Sequence, residues 1–473
     1  MIAVGILQFL MLLIALARGK TLAIFAGPEG VGVIGILDQV IVTVAQLGAL
    51  GLPFAAMKFM SAAHDRNDDA YRDSFAAFGR ILLILAAVAS TIGAGFVVLS
   101  PPGSGELAPY RGALFVSILI VPVTMMTILI SHTLASAQRP KSAAVYNLAF
   151  AAAGTGTALA GLLVAGIMGF YIGALAAGVL TICIALVYLY RTLGLSLWRK
   201  GVSLRREFQQ LSLILRTSMA AYVNFVSAAA FLLFMRYEII QNEGTVQVGL
   251  LQSALSIALS AGSILATLGG LYLAPSMNRN DEKSAKFRKA ENFNTICAFY
   301  IVLGMVPVAL LPGLVLTVLY TSAFTAAAIA LLLCLIWQML QQVSTTYSHI
   351  LIGIDRPVSA MVATLVSIAV GIVVVKLLTH HWGILAAPIA LIVTALVRLA
   401  IMVALLVWRE GMAFPWGTTL RYLGIAAAIG AAPFMFDPAI VLPDATGFAM
   451  RAAYALVMIG LAWSVSHHAL RRR

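Results

Sequence analysis

The sequence predicts an all-α, polytopic membrane protein with about fourteen membrane-spanning helices, and three observations support this fold class. Of the 473 residues, 62% are apolar and only 10% are charged, whereas soluble domains carry about 25% charged residues. Apolar stretches of about 20 residues, the length needed to cross a bilayer, recur along the whole chain. These stretches lack strand-like alternation and are far too long for barrel strands. The composition therefore excludes a soluble enzyme, a disordered chain and a secreted disulfide scaffold.

The apolar stretches define the predicted spans in order. We place the fourteen spans at residues 2–26, 31–60, 77–100, 111–135, 144–167, 170–190, 212–236, 247–275, 293–320, 324–353, 358–378, 383–408, 417–436 and 446–466. The division between the fifth and sixth rests only on the break at Gly166-Ile-Met-Gly169, and the thirteenth contains Pro433. Spans are better determined by such patterns than their exact ends.

The distribution of basic residues predicts the orientation. When the connections are assigned alternately to two sides, 23 lysines and arginines fall on one side and six on the other. Cytoplasmic loops are enriched in these residues, so the first side and both termini are predicted to be cytoplasmic. The same distribution explains the net charge of +13 without nucleic-acid binding, which requires a basic patch on a solvated face.

Four short matches at nearly constant spacing indicate an internal duplication. The matched segments are Arg66–Asp69 with Arg279–Glu282, Arg139–Ala143 with Arg356–Ala360, Gly35–Asp38 with Gly249–Gln252, and Lys20 with Arg236, at offsets of 213 to 217. We therefore predict an N-lobe at 1–193, a cytoplasmic linker at 194–211, a C-lobe at 212–408, and two extra helices with a basic cytoplasmic tail at 409–473. Secondary transporters are built from such repeats, with the substrate site at the repeat interface.

Ionisable residues in or near spans are costly and are therefore candidates for function. The candidates are Arg18, Lys20, Lys58, Arg236, Asp38 and Glu238. Because guanidinium and ammonium groups are the usual partners of phosphate, we predict that the four cations bind a lipid pyrophosphate. Alternatively, the outer cations snorkel to the interface and Lys58 anchors the cytoplasmic end of its span.

The two acids can also be interpreted in two ways. Asp38 and Glu238 either balance the charge of the cations or take up a coupling proton or sodium ion. The sequence has no nucleotide-binding loop and no pair of catalytic carboxylates, and its adjacent histidines lack metal-site spacing. We therefore predict neither a catalytic site, nor a metal site, nor a bound cofactor.

Several runs resemble the Wzx-type flippases for O-antigen and polysaccharide, which belong to the multidrug/oligosaccharidyl-lipid/polysaccharide (MOP) exporter superfamily. These runs are Gly19–Gly32, Gly35 with the helix around Gln39, Gly48–Pro53, Met57–Phe59, Phe234–Arg236 and Leu271–Pro275. The resemblance covers about residues 5–408. It is moderately specific for the superfamily and less specific for the substrate.

The resemblance implies a multi-pass flippase of the bacterial inner membrane. Its substrate would be an undecaprenyl-pyrophosphate-linked oligosaccharide, moved from the cytoplasmic to the periplasmic leaflet by alternating access. A glycan polymerase and glycosyltransferases would be the pathway partners. By resemblance, Lys20, Lys58 and Arg236 would contact the pyrophosphate, whereas Asp38 departs from the family pattern.

Three alternatives remain open at this point. A cationic-drug exporter of the same superfamily should have an acidic site, but here four cations accompany two acids. A membrane glycan polymerase or ligase needs a sizeable outer loop, and the predicted outer connections are no longer than about a dozen residues. A scaffold without transport activity is compatible with the same fold.

Overall fold

The computed structural model describes residues 2–65, 68–99, 106–199, 204–269, 273, 277, 282–441 and 443–471, and these residues contain helices and no strand. The α-helices are α1 (Ile2–Phe25), α2 (Gly27–Ala49), α3 (Leu52–His64), α4 (Asp68–Leu99), α5 (Arg111–Leu119), α6 (Val121–Ser136), α7 (Pro140–Leu193), α8 (Leu204–Leu268), α9 (Lys283–Leu310), α10 (Pro312–Leu319), α11 (Ala328–Gly353), α12 (Pro357–Trp382), α13 (Ala386–Ala404), α14 (Trp416–Met435) and α15 (Ala445–Arg471). The all-helical prediction is confirmed.

The number of spanning helices depends on how kinks are counted. Within the described residues, ten continuous helical stretches are long and apolar enough to cross a membrane. Three of these, at Pro140–Leu193, Tyr222–Ser263 and Pro357–Arg409, contain a glycine with positive φ and divide into two crossing segments each. The predicted thirteenth span corresponds to α14, which is a helix of 20 residues but is not among the ten.

Three predicted spans need correction. The span predicted at 77–100 begins nine residues earlier, since α4 starts at Asp68. The span predicted at 31–60 is broken, because Leu50 and Gly51 both adopt left-handed backbone conformations and Pro53 lies in the first turn of α3. The span predicted at 293–320 begins ten residues earlier, since α9 starts at Lys283, and it ends before Pro312. The prediction placed the start of this span too late because lysines and arginines in the first turns of α9 were interpreted as a loop.

The backbone repeats its irregularities at a single spacing of 217 residues. Gly27 (φ 62°) corresponds to Gly244 (φ 84°), and Gly166 (φ 60°, ψ −149°) corresponds to Gly383 (φ 49°, ψ −128°). A left-handed residue followed by an Arg-Pro helix start occurs at residues 138–140 and again at 355–357. Of the four sequence matches, the one between Arg139 and Arg356 has this offset of 217. The other three have offsets of 213, 214 and 216 and are out of this register. Residues 66, 67 and 279–281 of the first match lie outside the described residues.

The chain forms two compact units, Met1–Ala26 with Val33–Leu233, and Gly27–Gly32 with Phe234–Arg473. Within the second unit, the starts of α2 and of the second half of α8 cross in backbone contact. A Cβ on Gly32 would lie 2.2 Å from the Thr245 carbonyl oxygen, and one on Gly249 would lie 1.8 Å from that of Pro28. Gly249 lies 217 residues after Gly32, and Thr245 lies 217 residues after Pro28. The two helix starts therefore make the same glycine-to-carbonyl contact in both directions. The predicted boundaries at 193, 211 and 408 remain a prediction.

Candidate functional site

The first unit contains an ion pair between α1 and α2. Arg18 Nη2 lies 2.7 Å from Asp38 Oδ2, and about a third of each side chain is exposed. The Tyr171 hydroxyl, on a residue that is 1% exposed, lies 3.0 Å from Asp38 Oδ1 and 3.1 Å from the carbonyl oxygen of Ile34. The carboxylate of Asp38 is therefore oriented from two helices, with a cation on one oxygen and a phenol on the other.

An aromatic ring completes this cluster. The Arg18 guanidinium lies 5.2 Å from the centroid of the Phe170 ring, which itself packs edge-to-face against Tyr171. Such a placement adds a cation–π attraction to the ion pair. Arg18 and Asp38 line a cavity of about 410 Å³ whose other walls come from α1, α2, α7 and the start of α6. Because Asp38 holds the guanidinium through Nη2, an anion that binds Arg18 would either compete with this carboxylate or share the guanidinium with it.

A second arginine lies within the second unit, on α8. Arg236 is 4% exposed, and its Nη2 donates to the Gln252 amide oxygen at 2.6 Å. The Gln252 amide nitrogen in turn donates to the Ser256 hydroxyl at 3.1 Å, which fixes the orientation of the amide. A charged side chain in or near a membrane-spanning helix is costly, which makes Arg236 a candidate for function.

The remaining predicted residues are less completely defined. Lys20 is half-buried on α1, and Glu238 is half-buried on α8, where its backbone carbonyl accepts a hydrogen bond from the Asn242 side chain. The backbone of Lys58 belongs to α3, but its side chain lies outside the described part of the structure. The structure thus brings Arg18 and Asp38 together, and the roles predicted for all six residues remain predictions.

Sequence reasoning missed the aromatic partners of this cluster. Phe170 and Tyr171 directly follow the Gly166–Gly169 break on which the division of α7 depends, and that break turns them toward α1 and α2. The sequence signal that could have identified Tyr171 is its position, since it is a polar residue directly after a forced break in an apolar helix. Within the described residues, no group of three or more histidines, cysteines or acids is placed to hold a metal ion.

The second unit has a further polar cluster that the sequence analysis did not identify. Glu291 on α9 accepts hydrogen bonds from the hydroxyl groups of Tyr347 on α11, at 2.7 Å, and Thr418 on α14, at 2.6 Å. Glu291 was missed because the predicted span began at residue 293, which left this acid in a loop. It lies instead in the third turn of α9.

An ion-pair cluster ties together helix ends on the side predicted to be cytoplasmic. Glu410, which follows α13, lies 2.5 Å from Lys283 Nζ and 3.3 Å from Arg356 Nε, and its side chain is only 4% exposed. The hydrogen bond from Lys283, aided by the charge of Arg356, holds the pKa of Glu410 below its usual range. In the first unit, Arg199 pairs similarly with Asp69 at 2.8 Å and Asp73 at 3.0 Å.

Comparisons with known proteins identify the fold. No family model matches the chain, and no curated protein matches it in sequence. The structure is similar to the lipid II flippase MurJ in an inward closed conformation, with a TM-score of 0.74 and 12% identity over 99% of this chain and 100% of that chain. It is also similar to an inward-facing multidrug resistance transporter of the MATE family in the MOP superfamily, with a TM-score of 0.63 and 15% identity over 89% and 95% of the two chains.

A third similar structure is a MOP superfamily transporter from Pyrococcus furiosus, described as having a binding pocket of reversed polarity. It has a TM-score of 0.56 and 14% identity over 91% of this chain and 96% of that chain. At such identities the likeness concerns the fold alone. The chain therefore has the fold that these three structures share.

Proposed function

We propose that this protein is a flippase of the bacterial inner membrane, with both termini in the cytoplasm. Its substrate is an undecaprenyl-pyrophosphate-linked oligosaccharide, which it moves from the cytoplasmic to the periplasmic leaflet for O-antigen or polysaccharide synthesis. The protein works by alternating access and performs no covalent chemistry. A glycan polymerase and glycosyltransferases act before or after it in the pathway.

The observation that carries this proposal is the presence of arginines inside membrane-spanning helices of a fold shared with a lipid II flippase. A buried guanidinium costs several kcal/mol in a membrane unless it is compensated. Guanidinium groups bind phosphates through paired, charge-assisted hydrogen bonds. Arg18 and Arg236 are therefore suited to a pyrophosphate, and the resemblance of the chain to Wzx-type proteins adds Lys20 and Lys58 to the same role.

Asp38 has a defined part in this mechanism. In the absence of substrate it neutralises Arg18 and holds the guanidinium over Phe170. A pyrophosphate that reaches the cavity competes with Asp38 for Arg18, and the freed carboxylate remains hydrogen-bonded to Tyr171. The bound anion shifts the conformational equilibrium only to the extent that it binds one state more tightly than the other.

A cationic-drug exporter is the second candidate, because MATE transporters share the fold. Such a transporter needs a carboxylate that is available to a cationic ligand. In the first unit the cavity carboxylate, Asp38, is already occupied by Arg18 and Tyr171. The excess of predicted site cations, four against the two acids Asp38 and Glu238, favours an anionic ligand over a cationic one.

The proposal is tested by analysing polyprenyl-linked lipids in cells depleted of this protein. We expect one undecaprenyl-pyrophosphate oligosaccharide to accumulate, and wild-type protein to clear it. The double variant Lys20→Ala, Arg236→Ala should fail to clear it, whereas Arg191→Ala, which changes an exposed arginine at the end of α7, should succeed. If depletion alters no lipid-linked glycan, the flippase proposal is wrong and drug export becomes the better hypothesis.

A further inference from the structure

One face of α11 is polar over three turns. Gln341, Thr345 and His349 follow one another at intervals of four residues, so they share a face of the helix, and all three are half-buried. Gln338, which is 8% exposed, continues this polar stripe toward the start of the helix. A helix face that packs against lipid is apolar, so the stripe is suited to a wet or polar surrounding.

Two other helices of the second unit flank this polar stripe. On one side, a Cβ on Gly262 of α8 would lie 1.8 Å from the Gln338 amide nitrogen, which places α8 in direct contact with the stripe. On the other side, the Ser344 hydroxyl donates to the Met402 sulfur of α13 at 3.9 Å. The polar stripe is therefore the floor of a groove between α8 and α13.

Arg398 of α13 reaches this groove and has no partner in the protein. It is half-buried and lies one turn before Met402, which places it at about the level of Gln341. Among the described residues, no hydrogen bond or ion pair involves its guanidinium, and its Nε is enclosed without a hydrogen-bond partner. The charge of Arg398 acts on the His349 ring, so the guanidinium lies along the polar stripe.

The position of Arg398 does not match that of an interfacial anchor. Such a place belongs to Arg409, an exposed residue eleven positions later, or roughly 16 Å further along the helix. A guanidinium so far from the end of its span is costly unless an anion or a wet cavity compensates it. No carboxylate within the described part of the chain forms an ion pair with Arg398.

We propose that Arg398, His349 and the Gln341 amide form a phosphate-binding site in this groove. A guanidinium binds two phosphate oxygens through paired, charge-assisted hydrogen bonds, and the Nη atoms of Arg398 donate to no described residue. The imidazole and the amide supply further N–H donors for the remaining oxygens. As a contact for the transported lipid the site rests on the proposed function, whereas binding of free pyrophosphate does not.

The test measures binding of radioactive pyrophosphate to the purified full-length protein in detergent, without divalent cations. The starting protein is the double variant Lys20→Ala, Arg236→Ala, which lacks two cations of the pyrophosphate site proposed above. We expect saturable binding to this protein. Adding Arg398→Gln should lower the affinity at least tenfold, the effect of losing about 1.4 kcal/mol. Adding Arg409→Gln, which changes an exposed arginine after the same helix, should leave the affinity unchanged.

Thermal unfolding without ligand separates binding from a structural role. Arg398→Gln should melt at a higher temperature than its parent, because it removes a charge that nothing in the protein compensates. A lower melting temperature overturns the proposal and assigns Arg398 a structural role. A pyrophosphate affinity that Arg398→Gln leaves unchanged also overturns it, as does a double variant that binds no pyrophosphate.

Two competitors identify the source of the phosphate. Displacement of the probe by undecaprenyl pyrophosphate, but not by phosphatidylglycerol, supports a contact with the transported lipid. Displacement by phosphatidylglycerol supports the phosphate site and overturns that contact, since a bilayer phospholipid then occupies it. If depletion of the protein alters no lipid-linked glycan while pyrophosphate binding still depends on Arg398, the proposed function fails and the phosphate site stands.

Discussion

Replacing Gly249 with alanine tests the glycine crossing in the second unit. The new Cβ would lie 1.8 Å from the Pro28 carbonyl oxygen. An ordinary contact begins at 3.4 Å, so the two helix starts must separate by roughly 1.6 Å. Overpacking in a tight interface costs about 1–3 kcal/mol. We expect a value at the upper end of this range, because the obstructing atom belongs to the backbone and no side chain can rotate away.

The assay is thermal unfolding of the detergent-solubilised protein, followed by the loss of its monodisperse gel-filtration peak. Gly32→Ala should behave like Gly249→Ala, since its Cβ would lie 2.2 Å from the Thr245 carbonyl oxygen. Gly304→Ala is the matched control: it lies in a helix, has no atom within 4 Å of its Cβ, and should gain about 0.5–1 kcal/mol of helix stability. The reasoning is refuted if Gly249→Ala melts with or above Gly304→Ala.

Three further predictions concern the ion pairs and the topology. Asp38→Asn should destabilise the protein in thermal unfolding by roughly 3 kcal/mol, because it leaves the Arg18 guanidinium without its carboxylate inside a membrane-spanning helix; a loss below about 1 kcal/mol would show that the pair is only a surface-type contact. Because the folded-state pKa of Glu410 is lowered, its stabilisation is present above the ordinary glutamate value of about 4.3 and is lost as the pH falls below it. Acid unfolding should therefore be shallower in Glu410→Gln, and an unchanged pH profile would contradict this assignment. A green fluorescent protein fused after the last residue should fluoresce in cells, since the C-terminus is predicted to be cytoplasmic, and a dark but membrane-inserted fusion would reverse the orientation.

The fold class could be predicted because it follows from composition and hydropathy, which depend on the sequence alone and not on tertiary contacts. A helical segment lies at each of the fourteen predicted positions. The break at Gly51 was missed because the run around it is uniformly apolar, and only the left-handed backbone of Leu50 and Gly51 divides it. The start of α9 was missed because Lys283 and its basic neighbours resemble a loop in a hydropathy profile.

The candidate site was predicted less completely for a physical reason. Charges within apolar spans are visible in sequence, so Arg18, Asp38 and Arg236 were found. Tyr171 is a partner from a distant helix, and its contact with Asp38 depends on the kink of α7. The duplication was recognisable, but its register required the backbone: two of the sequence matches are displaced from it by three and four residues, which keeps the same helix face, and the match of Lys20 with Arg236 is displaced by one.

The most direct test of the proposed function is flipping by the purified protein in vesicles. An undecaprenyl-pyrophosphate-linked glycan would be placed in one leaflet, and its arrival in the other leaflet followed by a membrane-impermeant lectin. We predict protein-dependent transfer that Lys20→Ala, Arg236→Ala abolishes and Arg191→Ala retains. If the glycan crosses no faster in vesicles with the protein than in protein-free vesicles, while the reconstituted protein exports a cationic dye, the flippase account is contradicted.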